Sequence, residues 1–162
     1  MQYTLSILVE NQAGVLSKIS GLFSRRGFNI DSLAVGVTNN PEVSRITIVA
    51  NGDEYVVEQL EKQLNKVIPV IKVKRLDGDF ISRELILIKV HCAASKRAEI
   101  IKTAEIMNAK IVDAAQSCVT IEYCECTNRV NTLIDLLKPY GIREIVRTGT
   151  IAVDRGNTAI CV

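Results

Sequence analysis

The sequence predicts an α+β chain of two tandem βαββαβ units with ferredoxin-like topology, and three observations lead there. Apolar residues recur at two spacings, every second position in short segments and every third or fourth in longer ones. In the first half these segments follow the order strand, helix, strand, strand, helix, strand, and a turn-rich stretch, Leu76-Asp77-Gly78-Asp79-Phe80, then interrupts the pattern before the same order begins again. With 162 residues, 48% of them hydrophobic, the chain is long enough for one core or for two small ones. The repeated order selects two: a first domain over residues 1–76, a linker over 77–82 and a second domain over 83–162.

The first strand is read from Leu5, Ile7 and Val9, which alternate with Thr4, Ser6 and Glu10, the period of a half-buried strand. Val15, Leu16, Ile19, Leu22 and Phe23 follow at helical spacing, and the helix stops at Arg26-Gly27, a glycine just past a basic last turn. Ile30 to Val37 alternates through Leu33, Val35 and Val37, then Thr38-Asn39-Asn40-Pro41 supplies turn chemistry, and Ser44 to Ala50 completes a hairpin. Asp53 can cap a second helix with Val56, Val57, Leu60 and Leu64 on its buried stripe, ending before Pro69. Val70 to Leu76 is the fourth strand, and the order matches a split βαβ unit with two helices on one face of an antiparallel sheet.

In the second half, Leu85 to Val90 is an apolar strand, and Ser95 can cap a helix carrying Ala98, Ile101, Ala104 and Met107. Lys110 to Ala114 and Cys118 to Cys126 form a hairpin about Gln116-Ser117, with Val119, Ile121 and Tyr123 on one side. Thr127 or Asn128 caps the next helix, whose inward residues are Val130, Leu133, Ile134 and Leu137, before Pro139 and Gly141 stop it. Ile142 to Val153 is a final strand broken at Gly149, followed by a tail from Asp154 that is expected to fray.

Composition narrows the function. Twenty basic and 18 acidic residues give a net charge of +2, which favours neither a polyanionic partner nor an acidic tail. No strand carries the aromatic pair of an RNA-recognition domain of this topology, so no nucleic-acid partner is expected. No apolar run approaches the roughly 20 residues that span a bilayer, and the start of the chain leads directly into a strand pattern. The expected location is cytoplasmic, or the interior of an organelle for a mature form, with no membrane partner. Five cysteines, Cys92, Cys118, Cys124, Cys126 and Cys161, follow no disulfide framework and read as structural thiols of a reducing compartment. Arg25-Arg26 reads as a helix C-terminal charge pair, and Lys72-Val73-Lys74-Arg75 as an alternating solvent face.

Catalysis would require a nucleophile with its base or a metal cluster, and the sequence has one histidine, no nucleophile elbow, no phosphate loop and no ligand array. A non-catalytic chain without a metal or cofactor of its own is expected. The stretch that does carry chemistry is Glu10-Asn11-Gln12-Ala13-Gly14-Val15-Leu16, where a strand ends and a helix begins. The N–H groups of Gly14, Val15 and Leu16 lie at a helix start, where backbone donors and the helix dipole favour a carboxylate. Gly14 lets the backbone approach a ligand closely or adopt positive φ. The Asn11 amide offers both a donor and an acceptor, the mixture that an α-amino acid needs. The same residues also fit an ordinary helix start, since Asn-x-x-Gly is a weak motif. Asn29 adds weight: it precedes Ile30 at the start of the second strand, which the usual strand order places at a sheet edge. Pairing of that edge with a second copy could bring Asn29 of one chain to the helix start of the other.

Three stretches carry a family likeness: Leu8-Val9-Glu10-Asn11-Gln12-Ala13-Gly14-Val15-Leu16, Gly21-Leu22-Phe23-Ser24-Arg25-Arg26-Gly27-Phe28-Asn29-Ile30-Asp31-Ser32-Leu33, and Ser44-Arg45-Ile46-Thr47-Ile48. On these the first half resembles an ACT domain, an amino-acid-sensing module, and the chain is similar over essentially its full length to the small regulatory subunits of acetohydroxyacid synthase, also called acetolactate synthase. Glu58 to Leu64, Arg83-Glu84-Leu85, Arg147-Thr148-Gly149 and Asp154-Arg155-Gly156 also match, whereas the interior from Cys92 to Cys126, with its run of cysteines, agrees less. The resemblance implies a regulatory chain that binds a catalytic subunit, raises its activity and confers feedback inhibition by a branched-chain amino acid, first of all valine. It implies thiamine diphosphate, Mg²⁺ and FAD in the catalytic partner and none of them here, and a homodimer formed through the ACT domains. Asn11, Gly14 and Asn29 correspond to the family's effector-binding positions; Ala13, Val15, Leu16 and Ile30 join them by proximity. A free-standing sensor of the same kind, acting on a different partner, is the alternative.

Overall fold

Alternating and helical segments become regular elements in the computed structural model, which describes residues 1–161. The first six are β1 (Gln2–Glu10), α1 (Val15–Arg25), β2 (Ile30–Val37), β3 (Val43–Asn51), α2 (Glu54–Leu64) and β4 (Val70–Leu76). They form an antiparallel sheet in the order β2-β3-β1-β4, so β2 is an edge strand. The remaining elements are β5 (Phe80–His91), α3 (Arg97–Met107), β6 (Lys110–Ala114), β7 (Cys118–Glu125), α4 (Thr127–Leu137), β8 (Ile142–Arg147) and β9 (Ile151–Asp154). The second sheet repeats the first with the order β6-β7-β5-β8, and β9 pairs with β5 as its fifth strand. The chain is therefore α+β, with two tandem βαββαβ units.

Each unit has its own core. In the first, Leu5 and Ile7 stand opposite Ile48 and Ile46. Val15, Ile19, Leu22 and Phe23 of α1 and Val57, Leu60 and Leu64 of α2 pack on them. Full burial of each such side chain stabilises the fold by roughly 1.5–3 kcal/mol. In the second, Ile86, Ile88 and Val90 of β5 meet Val119 and Ile121 of β7 under Ile100, Ala104 and Met107 of α3 and Val130, Leu133 and Leu137 of α4. The helical spacing expected Ala98 on the α3 stripe, but Ala98 is exposed and Ile100 is buried in its place. Ser95 does not cap that helix: Ala94–Lys96 is a 3₁₀ turn that shifts the start to Arg97. Asp53 does precede α2 in extended conformation, although its side chain makes no capping bond.

The largest difference from the sequence expectation concerns the last residues. The compact units are Met1–Ile81 together with the segment from Thr150 onward, and Ser82–Gly149. The second domain expected over 83–162 thus ends at Gly149, and the expected linker is reduced, because β5 already begins at Phe80. The expected strand from Ile142 to Val153 divides into β8 and β9 around Gly149, whose φ of 83° is the left-handed conformation that glycine adopts without strain.

From Thr150 the chain lies on the face of the first sheet that the helices leave open. The Thr150 N–H donates to Ser32 Oγ at 2.7 Å, and Arg45 donates to the Ala152 carbonyl at 2.7 Å. Lys74 pairs with Asp154 at 2.8 Å, and Lys72 donates to the Cys161 carbonyl at 3.1 Å. The tail expected to fray is tied down, and Lys74, expected on a solvent face, has a side chain only 29% exposed. This cover explains why β1 is buried at every position from Thr4 to Val9, including the polar Thr4 and Ser6. Partial burial of Arg45 against this segment pushes its guanidinium pKa down, with Asp154 opposing the shift.

Candidate functional site

The β1–α1 junction is shaped by backbone bonds on both sides. Glu10 N–H donates to the Pro69 carbonyl at 2.9 Å, and Asn11 N–H donates to the Glu42 carbonyl at 2.7 Å, which anchors the end of β1 between its neighbours. Gly14 then turns the chain into α1 with φ 86° and ψ −8°, and its carbonyl accepts from Lys18 N–H at 3.1 Å. A Cβ at Gly14 would meet nothing within 4 Å, so conformation rather than space makes glycine the fitting residue there. No side chain caps α1, and its first turn has no acidic residue. The helix start is an outward-facing cluster of backbone donors with the positive end of the dipole uncompensated.

Asn11 is exposed yet fixed. Its Nδ2 donates to the Pro41 carbonyl at 2.8 Å, and its Oδ1 accepts from Ser44 Oγ at 3.1 Å. Ala13 and Gly14 are exposed beside it, and Leu16, expected on the buried stripe, is 41% exposed, while Val15 is buried. A carboxylate at the donors of the first turn would therefore have the Leu16 side chain and the Asn11 amide within the same few residues. Ser44 and Pro41 escaped the sequence reading. Their role depends on the β1–β3 register, which sets Ser44 opposite Val9, and on the hairpin turn that returns Pro41 to the junction.

Asn29 stands elsewhere. Its Nδ2 donates to Asp31 Oδ1 at 2.9 Å, and Asp31 accepts from Asn51 through its other oxygen. Asp31 holds Asn29 in place, and the spacing Asn29-Ile30-Asp31 was the only sequence signal available for it. Ile30 is level with Ala50, and Ala50 with Tyr3, so Asn29 lies beside the beginning of β1 while Asn11 lies just past its end. The seven residue steps from Tyr3 to Glu10 span about 24 Å at ~3.4 Å per step. One chain therefore does not bring Asn11 and Asn29 together. Both nevertheless flank β2: Asn29 precedes it, and Asn11 is bonded to Ser44, the partner of Val37 at its far end.

Among the described residues no group of three or more His, Cys, Asp or Glu side chains is arranged to hold a metal ion. All five cysteines are free thiols, Cys92 fully buried. Among the described residues no helix is long and apolar enough to cross a membrane.

Comparison with known proteins agrees with this architecture in both halves. Residues 5–72 match the family model described as AHAS small subunit-like ACT domain, and residues 83–156 match that described as small subunit of acetolactate synthase. A probable acetolactate synthase small subunit of Archaeoglobus fulgidus is 48% identical, over 97% of this chain and 99% of that protein. The acetolactate synthase small subunit of Mycolicibacterium smegmatis is 47% identical over 98% of this chain and 94% of its own length. The crystal structure of the acetolactate synthase small subunit from Thermotoga maritima superposes with a TM-score of 0.90 at 38% identity, covering 98% of this chain and 99% of that one. Two family models, full-length relatives and a full-length structural match together show that the chain belongs to the acetolactate synthase small-subunit family, with an ACT domain as its first half.

Proposed function

We propose that the chain is a non-catalytic regulatory subunit that binds the acetolactate synthase catalytic subunit, raises its activity and makes it sensitive to a branched-chain amino acid, valine foremost. The effector sits with its carboxylate on the first-turn N–H groups of α1, beside Asn11, Ala13, Gly14, Val15 and Leu16. Asn29 and Ile30 of a second copy complete the site. The observation that carries this reading is the placement of Asn11 and Asn29 at opposite ends of the sheet, both flanking the edge strand β2. Antiparallel pairing of two β2 edges about a two-fold axis sets the Asn29 end of one chain beside the Asn11 end of the other. Val35 and Val37, 48% and 59% exposed on that edge, gain cover in the same step. A ligand bridging two chains stabilises the pair, so the effector is coupled to assembly and through it to the partner enzyme.

The hard chemistry belongs to the catalytic partner, which carries the thiamine diphosphate, Mg²⁺ and FAD. This chain supplies recognition and coupling, in the cytoplasm. A coupling free energy of about 1–3 kcal/mol between effector site and partner changes affinity or activity by roughly 5- to 150-fold. Gly14→Asp places a carboxylate against the effector carboxylate at a residue whose positive φ disfavours side chains. The variant should still bind the catalytic subunit and activate it, but calorimetric titration with valine, leucine and isoleucine should lose the binding event that the wild-type chain shows at this junction, and inhibition should disappear. Undiminished valine inhibition of the Gly14→Asp holoenzyme would sink the site. Failure of the wild-type chain to retain a thiamine-diphosphate enzyme on co-purification would favour a sensor acting on another partner.

A further inference from the structure

The second unit has a cavity of about 340 Å³ where the first has its β1–α1 junction, lined by His91, Ala93, Lys96, Glu99, Pro139 and Tyr140. The correspondence of place is set by the backbone. Glu10 N–H donates to Pro69 O at 2.9 Å and His91 N–H to Gly141 O at 2.8 Å; Asn11 N–H donates to Glu42 O at 2.7 Å and Cys92 N–H to Ser117 O at 2.8 Å. The volume is within the range of small-molecule sites, about 300–1,000 Å³.

The polar groups around this cavity carry both signs of charge. Lys96 Nζ donates to Glu99 Oε1 at 2.8 Å, and Tyr140 OH donates to Glu99 Oε2 at 3.3 Å. Arg143 Nη2 lies 3.0 Å from His91 Nδ1. A guanidinium has donors and no acceptor, so Nδ1 accepts, and the proton of the neutral ring resides on Nε2. The cavity wall thus offers an ammonium, a carboxylate, a phenol and the N–H of an uncharged imidazole. Lysine and glutamate place a cationic and an anionic partner side by side, which suits a zwitterion, whereas a divalent cation would meet the Lys96 ammonium and the nearby Arg143 guanidinium. The Lys96 and Glu99 side chains are 55% and 50% exposed, and an ion pair this open adds little stability, so it can separate to admit a ligand.

We propose that this cavity is a second ligand site, for a zwitterionic α-amino acid. The ligand carboxylate lies on Lys96 and the His91 Nε2–H. Its ammonium lies on Glu99, which Tyr140 holds in place, and Ala93 and Pro139 supply apolar wall. All six residues come from one chain, so this site is complete without a second copy. It does not depend on the effector reading of the first junction.

His91 is the sole histidine, so its imidazole gives a single, assignable set of signals in a long-range ¹H–¹⁵N spectrum of the full-length chain. The free protein should show the Nε2–H tautomer. Titration with each standard L-amino acid should produce a saturable shift of these signals for at least one of them. Propionate, which lacks the ammonium, should bind at least about tenfold more weakly. Lys96→Gln and Glu99→Gln should each weaken binding by about tenfold or more, since each removes a charge-assisted hydrogen bond. Gly14→Asp should leave the shift intact. Absence of a shift with every amino acid up to about 10 mM, the weak end of specific binding, overturns the proposal, and so does an equal response to propionate. A shift that survives both cavity substitutions also overturns it; if that shift vanishes in Gly14→Asp, it originates in the first unit.

Discussion

The two units follow one plan and differ at two places, the strand-to-helix junction and the sheet face away from the helices. At the junction of the first, Asn11 and Ser44 form a polar pair, and Gly14 turns the chain with positive φ. The same backbone bonds place Cys92 and Val119 at the corresponding points of the second, both buried, and a 3₁₀ turn replaces the glycine. On the open face, Thr4, Ser6 and Leu8 of β1 are buried under the segment from Thr150. Leu87 and Lys89 of β5, in the matching strand, are half-exposed, and Lys89 pairs with Glu144 at 3.8 Å. The shared βαββαβ frame needs only apolar periodicity. What the two copies can do is decided by a few positions outside that periodicity.

The contrast between the faces predicts the largest effect. A chain ended after Gly149 uncovers Leu8, Val49 and Leu76 in the first unit. Exposing about 120 Å² of apolar surface there removes about 3 kcal/mol at ~25 cal/mol per Å². Native-state hydrogen exchange should show lost protection in β1 and β3, and in β5 only where β9 pairs with it, with β7 little changed. An equal loss in both units would mean that the segment does not serve the first sheet in particular.

Exchanging the junction residues tests the other difference. Cys92→Asn puts an amide into a fully buried apolar position and should cost about 2 kcal/mol of stability by chemical denaturation. Asn11→Cys removes the bonds to Pro41 and Ser44 at an exposed position, so its stability cost should be nearer 1 kcal/mol while effector affinity falls at least about tenfold. Equal stability losses for the two would erase the distinction between a polar and an apolar junction.

Smaller effects follow at the supporting positions. Asp31→Ala frees Asn29, and effector affinity should weaken by about three- to tenfold with stability changed by less than about 0.5 kcal/mol. Ser6 Oγ is buried without a hydrogen-bond partner among the described residues. Ser6→Ala should therefore leave thermal stability unchanged or raise it by up to about 1 kcal/mol. A marked drop in melting temperature would show that the hydroxyl has a partner after all.

Much of the fold was legible because it is written in spacing. Leu5, Ile7 and Val9 announce a strand, and Ile19, Leu22 and Phe23 a helix, whatever surrounds them. The candidate site was legible in part: Asn11 and Gly14 are three residues apart in the chain, and the helix start that follows Gly14 is a local feature. Ser44 and Pro41 were not, since strand register makes them neighbours of Asn11 and register is a non-local property. Thr4 and Ser6 read as the polar side of a half-buried strand because small polar residues suit water as well as a covered face. The α3 start was misplaced by one residue because a 3₁₀ turn carries no separate signal in Ala93-Ala94-Ser95-Lys96.

By itself, then, the sequence determined the element order, the repetition of that order and the chemistry of the Asn11–Gly14 junction, all of which follow from residues close together in the chain. Only the tertiary structure decided that Asn11 and Asn29 stand at opposite ends of one sheet, and that the residues from Thr150 return to the first unit. The physical reason is the same for both. Periodicity reports which face of an element is apolar, but the partner that covers a face, or stands beside a strand end, is chosen by contacts between residues tens of positions apart.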